Sequence, residues 1–285
     1  MARKIGLGLA ILALVLVWIG FLGGFIEPLD TVAIHRPVYG LVCLAAMFLV
    51  RSRLLRLSFG ATLAVVLATT IPPFLPDPPG TDLRLYTKNL LRSNDRLDVV
   101  ADDIREAAPD VVMLQEVSDD TRPILDMLKT DYPHQHHCPY VDWGGIALLS
   151  RTAFEGEPHC SAERGVAVAP VAPKGTRLWA GSVHLPMPWP MKRPDNRETV
   201  LDVLEALEGP VVLAGDFNQM PWSARVREVG EVHGLSLAGP VMPTHRLWGV
   251  PIPIDLVLAP RGGRIERRGK LSSDHAGLVA DVALQ

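Results

Sequence analysis

The chain has 285 residues, with 28 Lys plus Arg against 31 Asp plus Glu and a net charge of −3, which excludes a generic polyanion binder built on excess basic charge. Hydrophobic residues make up 48% of it, and the mean hydropathy of +0.20 is high for a soluble enzyme. The apolar excess sits at the front.

Ile5 to Ile26 carries no charge over 22 residues, against the roughly 20 needed to cross a bilayer. Val38 to Val50 is shorter and reaches spanning length when begun near Thr31, with His35 and Arg36 at the headgroup level. Leu57 to Leu75 is interrupted only by Ser58, Thr62, Thr69 and Thr70. Three transmembrane helices are expected, about 5–26, 31–50 and 57–75, within an anchor spanning 1–76. A cleaved signal peptide would have a shorter apolar core and a small-residue cleavage site; here the run ends in Gly-Gly-Phe-Ile-Glu-Pro and more apolar segments follow. Arg3 and Lys4 precede the first span, and Arg51, Arg53 and Arg56 separate the last two. The basic flanks mark the cytoplasmic side, which puts everything after the third span outside the cytoplasm. In a bacterium this is an inner-membrane protein with a periplasmic domain.

Pro72-Pro-Phe-Leu-Pro-Asp-Pro-Pro-Gly80 ends the third helix and holds an extended spacer. With 77–81 as linker, 82–285 is long enough for one domain with a core of its own. Setting aside Arg3, Lys4, Arg36, Arg51, Arg53, Arg56, Glu27 and Asp30 leaves 22 basic against 29 acidic residues from Asp77 on, a net of −7. Of the cysteines, Cys43 lies in a span, whereas Cys138 and Cys160 belong to the domain and are compatible with either a bridge or two thiols.

Strands are expected at Leu83–Tyr86, Val111–Leu114, Gly145–Leu149, Val166–Val171, Leu178–His184, from Val211 into Asp216, Ile254–Leu258 and Leu278–Ala283. Helices are expected over Asp95–Ala107, Thr121–Lys129, Asn196–Leu207 and Ser223–Val229, from apolar positions at helical spacing. This mixture reads as an α/β sandwich, sheets inside and helices outside.

Buried strands in this chain repeatedly end in polar residues. Asn89 follows the first strand, Glu116 the second, and His184 closes the run from Leu178. Val211-Val-Leu-Ala-Gly-Asp-Phe-Asn218 delivers Asp216 and Asn218, which as strand neighbours at i and i+2 share a side. Ser273-Asp274-His275 precedes the last strand, and Asp255 sits in an apolar run where a carboxylate requires a partner. Each of these alone reads as an ordinary turn, cap or structural residue; together they do not. Asn89, Glu116, Asp216, Asn218 and Asp274 offer oxygen ligands, which suit Mg²⁺ or Mn²⁺ rather than structural zinc. His184 and His275 are candidates for proton transfer or phosphoryl contact, with Asp255 orienting an imidazole. The set suits metal-assisted hydrolysis at phosphorus.

Asn89, Gln115-Glu116, Gly145-Ile-Ala-Leu-Leu-Ser-Arg151, Ser182-Val-His184, Gly215-Asp-Phe-Asn218, Ile254-Asp255 and Ser273-Asp-His275 occur in the order found in the endonuclease/exonuclease/phosphatase superfamily, which residues 82–284 resemble. The resemblance implies a four-layer αββα sandwich with its site at one edge. It implies Glu116 as principal metal ligand with Asn89 and Asp274 nearby, and His275 paired with Asp255 as the catalytic histidine. It further implies Asp216 on the attacking water, Asn218 on the phosphate, and His184 as the second histidine of the nuclease and sphingomyelinase branches. The substrate-contacting Tyr or Arg of nucleases has no evident counterpart, Tyr140 being the nearest tyrosine. Two features lie outside the pattern: the apolar loop Pro186–Pro194, which could face a lipid or simply pack, and His134, His136, His137 and Cys138, which could form a separate metal site.

The expected activity is therefore that of a membrane-anchored, divalent-metal-dependent phosphoesterase acting on a phosphodiester or phosphomonoester, with a lipid-linked substrate mildly favoured by the anchor. One alternative is a tethered nuclease for external DNA or RNA, disfavoured by the acidic domain though partly supported by Arg261, Arg264, Arg267, Arg268 and Lys270. The other is an inactive binding or scaffold module.

Overall fold

The computed structural model describes residues 2–140, 144–190 and 196–284, and the chain forms two compact units. The first comprises Met1–Phe74 together with Met187–Lys192 and Gln219–Glu228. Its helices are α1 (Ala2–Ile19, continued as a 3-10 turn through Gly24), α2 (Glu27–Ile34), α3 (Arg36–Leu49) and α4 (Arg53–Thr70). Lys4–Gly24 and Arg53–Phe74 are each long and apolar enough to cross a membrane. The stretch expected as one helix over 31–50 is instead two, α2 and α3, bent by 59°. Pro37 lies in the first turn of α3; it has no amide hydrogen to donate and its ring crowds the preceding turn, so the helix restarts after His35.

Small side chains let these helices approach closely. A methyl on Gly40 would meet Val66 Cγ1 at 2.8 Å, and Ala10, Cys43, Ala46 and Phe59 are buried together, as is typical where apolar helices pack on one another. Trp18 Nε1 donates to Thr62 Oγ1 at 3.1 Å. Asp30, on α2, accepts from the amides of Ala224 (2.7 Å) and Arg225 (3.1 Å), which open helix α8 (Ala224–Glu231). Trp222 Nε1 donates to Ala33 O at 2.8 Å.

The second unit comprises Leu75–Pro186, Arg193–Asn218 and Val229–Gln285 and contains two six-stranded sheets. Along the first lie β13 (Gly263–Arg267), β14 (Leu278–Val282), β1 (Leu83–Asn89), β2 (Val111–Val117), β4 (Gly145–Ser150) and β3 (His134–Cys138). The second runs β5 (His159–Cys160), β6 (Val166–Val171), β7 (Leu178–His184), β8 (Val211–Asp216), β12 (Asp255–Ala259) and β9 (Ser236–Leu237). Alternate residues of both sheets form the central layer: Leu83, Leu85, Val111 and Met113 from one, Leu178, Ala180, Val212, Ala214, Val257 and Ala259 from the other. Each large aliphatic side chain fully removed from water there contributes about 1.5–3 kcal/mol. The opposite parity of the first sheet, Tyr86, Val112 and Leu114, is covered by α5 (Leu97–Ala107) and α6 (Pro123–Met127) through Val100, Ile104 and Ile124. With α7 (Arg197–Glu205) as a further helix of this unit, the architecture is the expected mixed α/β sandwich of two packed sheets.

β3, β5 and β13 are additional to the expected strands. His134-Gln-His-His-Cys138 and Gly263-Arg-Ile-Glu-Arg267 are edge strands with few buried side chains, so they lack the apolar run that reveals a central strand. Cys138 on β3 and Cys160 on β5 are joined as a disulfide, closing one edge of the two sheets with a covalent link. His136 Nε2 stands 3.3 Å from each sulfur, and His136, Cys138 and Cys160 form one ligand-like group, with the sulfurs spent on each other. The loop Pro186–Pro194 lies in part outside the described residues.

Candidate active site

The inter-sheet parity carries the polar residues. Asn89 continues the face of Leu83 and Leu85, His184 that of Leu178 and Ala180, and Asp216 that of Val212 and Ala214. Asp255 begins the face of Val257 and Ala259. Strand register aligns them in a rank: Asn89 opposite Gln115, His184 opposite Asp216, and Asp216 opposite Asp255. Gln115 Nε2 crosses the sandwich to Ser182 Oγ at 2.9 Å and fixes the two sheets together beneath this rank.

Glu116 has the parity of Leu114, facing the helices. A β-bulge between Gln115 and Val117, with Glu116 at φ +58, turns it instead toward Asn89. Bulges commonly re-aim a side chain beside a functional site, and left-handed backbone at a non-glycine residue is held only by surrounding structure. Thr121 Oγ1 donates to Glu116 O at 2.8 Å and helps to hold it. Gly215 has a comparable local reason: at φ +151, a Cβ would overlap the carbonyl of Val183.

Asn89 Nδ2 lies 3.1 Å from both Glu116 Oε1 and Asp216 Oδ2, joining the two carboxylates through one amide. The second oxygen of Glu116 accepts from Arg92 N at 2.9 Å. Asn218 folds back in a turn (φ +50), giving its N–H to Asp216 Oδ1 at 2.8 Å and its amide to Leu185 O at 2.9 Å. The turn and the convergence expected of Asp216 and Asn218 are one arrangement.

His275 Nδ1 is 2.8 Å from Asp255 Oδ2, in a setting where Asp255 is 2% and His275 5% exposed. Nε2 of His275 and of His184 both approach Asp216 Oδ2, at 3.8 and 3.7 Å. Burial raises Asp216 to about 7, opposed by His275 and reinforced by Asp255. Burial alone would depress His275, but the carboxylates of Asp255 and Asp216 outweigh it and push the imidazole up to about 10. Asp255 Oδ1 is buried and has no hydrogen-bond partner among the described residues.

Asp274 precedes His275 in the bend before β14. It pairs with His245 at 3.8 Å, and ligand atoms of His245, Asp274 and His275 lie within 4.8 Å of one another. His245 is not among the sequence candidates, yet its ring lies against His275, centroids 4.5 Å apart and tilted by 36°. Lys88 was also missed. It is buried and donates to Lys270 O (2.8 Å) and His275 O (2.9 Å), pinning the turn that carries His275. Burial lowers it to about 8, against the pull of Asp255, Asp103 and Asp274. Its signal is the strand parity, which aims Lys88 away from the central layer. Tyr140 donates to Ser161 O at 2.8 Å.

Residues 84–275 match the Endonuclease/Exonuclease/phosphatase family. The chain belongs to that family. Solved structures share the fold at low identity. An endonuclease/exonuclease/phosphatase family protein from Leptotrichia buccalis aligns with TM-score 0.56 at 17% identity, over 71% of this chain and 100% of its own. A family member from Bacteroides vulgatus gives 0.56 at 18%, over 72% and 100%. A 3′ phosphatase from Neisseria, bound to product DNA hairpin, gives 0.53 at 19%, over 70% and 98%. No curated protein sequence matches the chain. Members of the endonuclease/exonuclease/phosphatase family hydrolyse phosphate esters and generally use divalent metals, and among the described residues Asp216, Asp255 and His275, and His245, Asp274 and His275, form candidate acidic and histidine groups.

Proposed function

We propose that this chain is a membrane-anchored phosphoesterase that hydrolyses a phosphodiester or phosphomonoester outside the cytoplasm. The observation that carries this reading is the joining of Glu116 and Asp216 through Asn89 beside the Asp255–His275 pair. The Glu116 carboxylate would hold Mg²⁺ or Mn²⁺, being an oxygen donor within reach of solvent; Asn89, whose Nδ2 faces Glu116 and whose Oδ1 accepts from Leu91 N, would turn its oxygen to the cation, and Asp274 would contribute from the His245 side. The bound cation supplies charge neutralisation on the phosphoryl oxygens.

The protein's own groups divide the remaining work. Asp216, raised toward neutrality by burial, accepts the proton of the attacking water. His275, held charged by Asp255 and Asp216, donates a hydrogen bond to the phosphoryl group as negative charge develops there. Asp255 fixes the imidazole through Nδ1 so that Nε2 faces the reaction. His184 and Asn218 position the phosphate from the other side of Asp216.

The Cys138–Cys160 bridge supports a domain in an oxidising compartment, in agreement with the basic flanks of the spans. The basic cluster that would favour a nuclease is partly spent internally: Arg268 is bound by Asp103, Glu106 and Glu266. The test is the purified full chain in detergent, assayed with Mg²⁺ on bis-p-nitrophenyl phosphate, p-nitrophenyl phosphate, plasmid DNA and phospholipid vesicles. EDTA and Glu116→Gln serve as controls. Metal-dependent turnover absent from the variant supports the reading; no turnover on any substrate moves weight to an inactive scaffold.

A further inference from the structure

Strands β10 (His245–Leu247) and β11 (Val250–Ile252) form a separate two-stranded hairpin. Its register pairs His245 with Ile252, Arg246 with Pro251 and Leu247 with Val250. Directly opposed residues share a face, so one face runs from His245 and Ile252 to Leu247 and Val250. The two-residue turn beyond is Trp248-Gly249, both at positive φ (49° and 84°), a geometry that normally selects Asn, Asp or Gly. Trp248 is 94% exposed and Val250 61%. The hairpin's root is in the candidate site, where the His245 ring packs tilted against His275. Its other face carries exposed Arg246, and Arg267 donates to Pro243 O at the root.

A solvent-facing tryptophan at a strained turn, with an apolar strip behind it and arginines beside it, has the composition of a membrane-interface element. The same chain carries two helices able to cross a bilayer. We propose that the β10–β11 hairpin seats Trp248 and Val250 in a lipid bilayer surface, Arg246 taking the anionic headgroups. Its apolar face then leads a lipid-embedded phosphoester to His275. The hairpin's seat stands on exposure and register alone; the substrate class rests on the phosphoesterase reading.

The experiment separates the two. The full chain with Cys43→Ala and Trp248→Cys is labelled with an environment-sensitive fluorophore and reconstituted into vesicles of phosphatidylcholine and phosphatidylglycerol, with Lys129→Cys as the exposed control. The expected result is blue-shifted emission at 248, quenched by doxyl-labelled acyl chains and shielded from iodide, with the reverse at 129. Iodide quenching at 248 equal to that at 129 overturns the proposal. Shielding from iodide without doxyl quenching also overturns it and assigns the tip to a protein partner. For the substrate, Trp248→Ala should lower the ratio of phospholipid-vesicle turnover to bis-p-nitrophenyl phosphate turnover several-fold; an unchanged ratio sinks the lipid assignment. Absence of turnover on both substrates counts against the phosphoesterase reading, and the fluorescence still decides the seat.

Discussion

Asp255 Oδ2 and His275 Nδ1 meet at 2.8 Å, and this contact sets both the orientation and the charge of the imidazole. Asp255→Asn removes the charge while keeping the shape. Two results are expected: a fall in phosphoesterase turnover of ~10²–10⁴-fold, the usual span for losing a positioned acid–base partner, and a lower His275 pKa in metal-free protein. NMR titration of the histidine Cε1–H signals checks the second.

Glu116 reaches the site through a backbone bulge, and its carboxylate accepts from Asn89 Nδ2 and Arg92 N, of which a glutamine oxygen can keep one. Glu116→Gln should leave circular dichroism unchanged and cut metal-dependent turnover by at least ~10²-fold, as loss of a first-contact ligand commonly does. Titration with Mn²⁺ followed by electron paramagnetic resonance should show weakened binding.

Asp30 accepts the two opening amides of α8. Asp30→Ala leaves them without that acceptor and should lower stability by about 1 kcal/mol, with Asp30→Asn recovering most of it. Thermal unfolding in detergent provides the measurement.

The Cys138–Cys160 link spans 22 positions. By the chain-entropy relation its loss through Cys160→Ser should cost about 3 kcal/mol. Chemical denaturation with and without reductant reports it: wild type should shift on reduction and the variant should not.

Tyr132 supplies the pH prediction. Burial pushes its phenol up to about 12 from the ordinary phenol value of 10.0, opposed by Arg151. The unfolded chain loses this proton first, so between those values the folded state binds more protons. Stability is fully present below pH 10.0 and declines as pH rises toward about 12. Tyr132→Phe should flatten that slope in urea melts across the range.

The central strands were legible because each is a short apolar run bounded by turn residues, and the site because so many of those runs end in carboxylates, amides or imidazoles. His245 and Lys88 were not legible. His245 lies in a three-residue strand with no apolar signature, and a lysine in a strand reads as solvent-facing until the turn that buries it is known. The β3 and β13 edges were missed for the same lack of pattern. The helix expected over 31–50 bends because Pro37 has no amide hydrogen to give to the turn before it, a break that a count of apolar residues does not register.

Hydrophobic period and motif spacing are local properties, so the central strands, the family and a candidate set of site residues are readable from the chain alone. Which way those residues face is a matter of the folded chain. Parity predicts Glu116 on the helix-covered side, and a single bulge reverses it. Cys138 and Cys160 were compatible with bridge or thiols until the two sheet edges were brought together. His245 joined His275 only because a hairpin folds back on the turn before β14. Such relationships come from strand register and backbone strain, which depend on chain segments far apart in sequence.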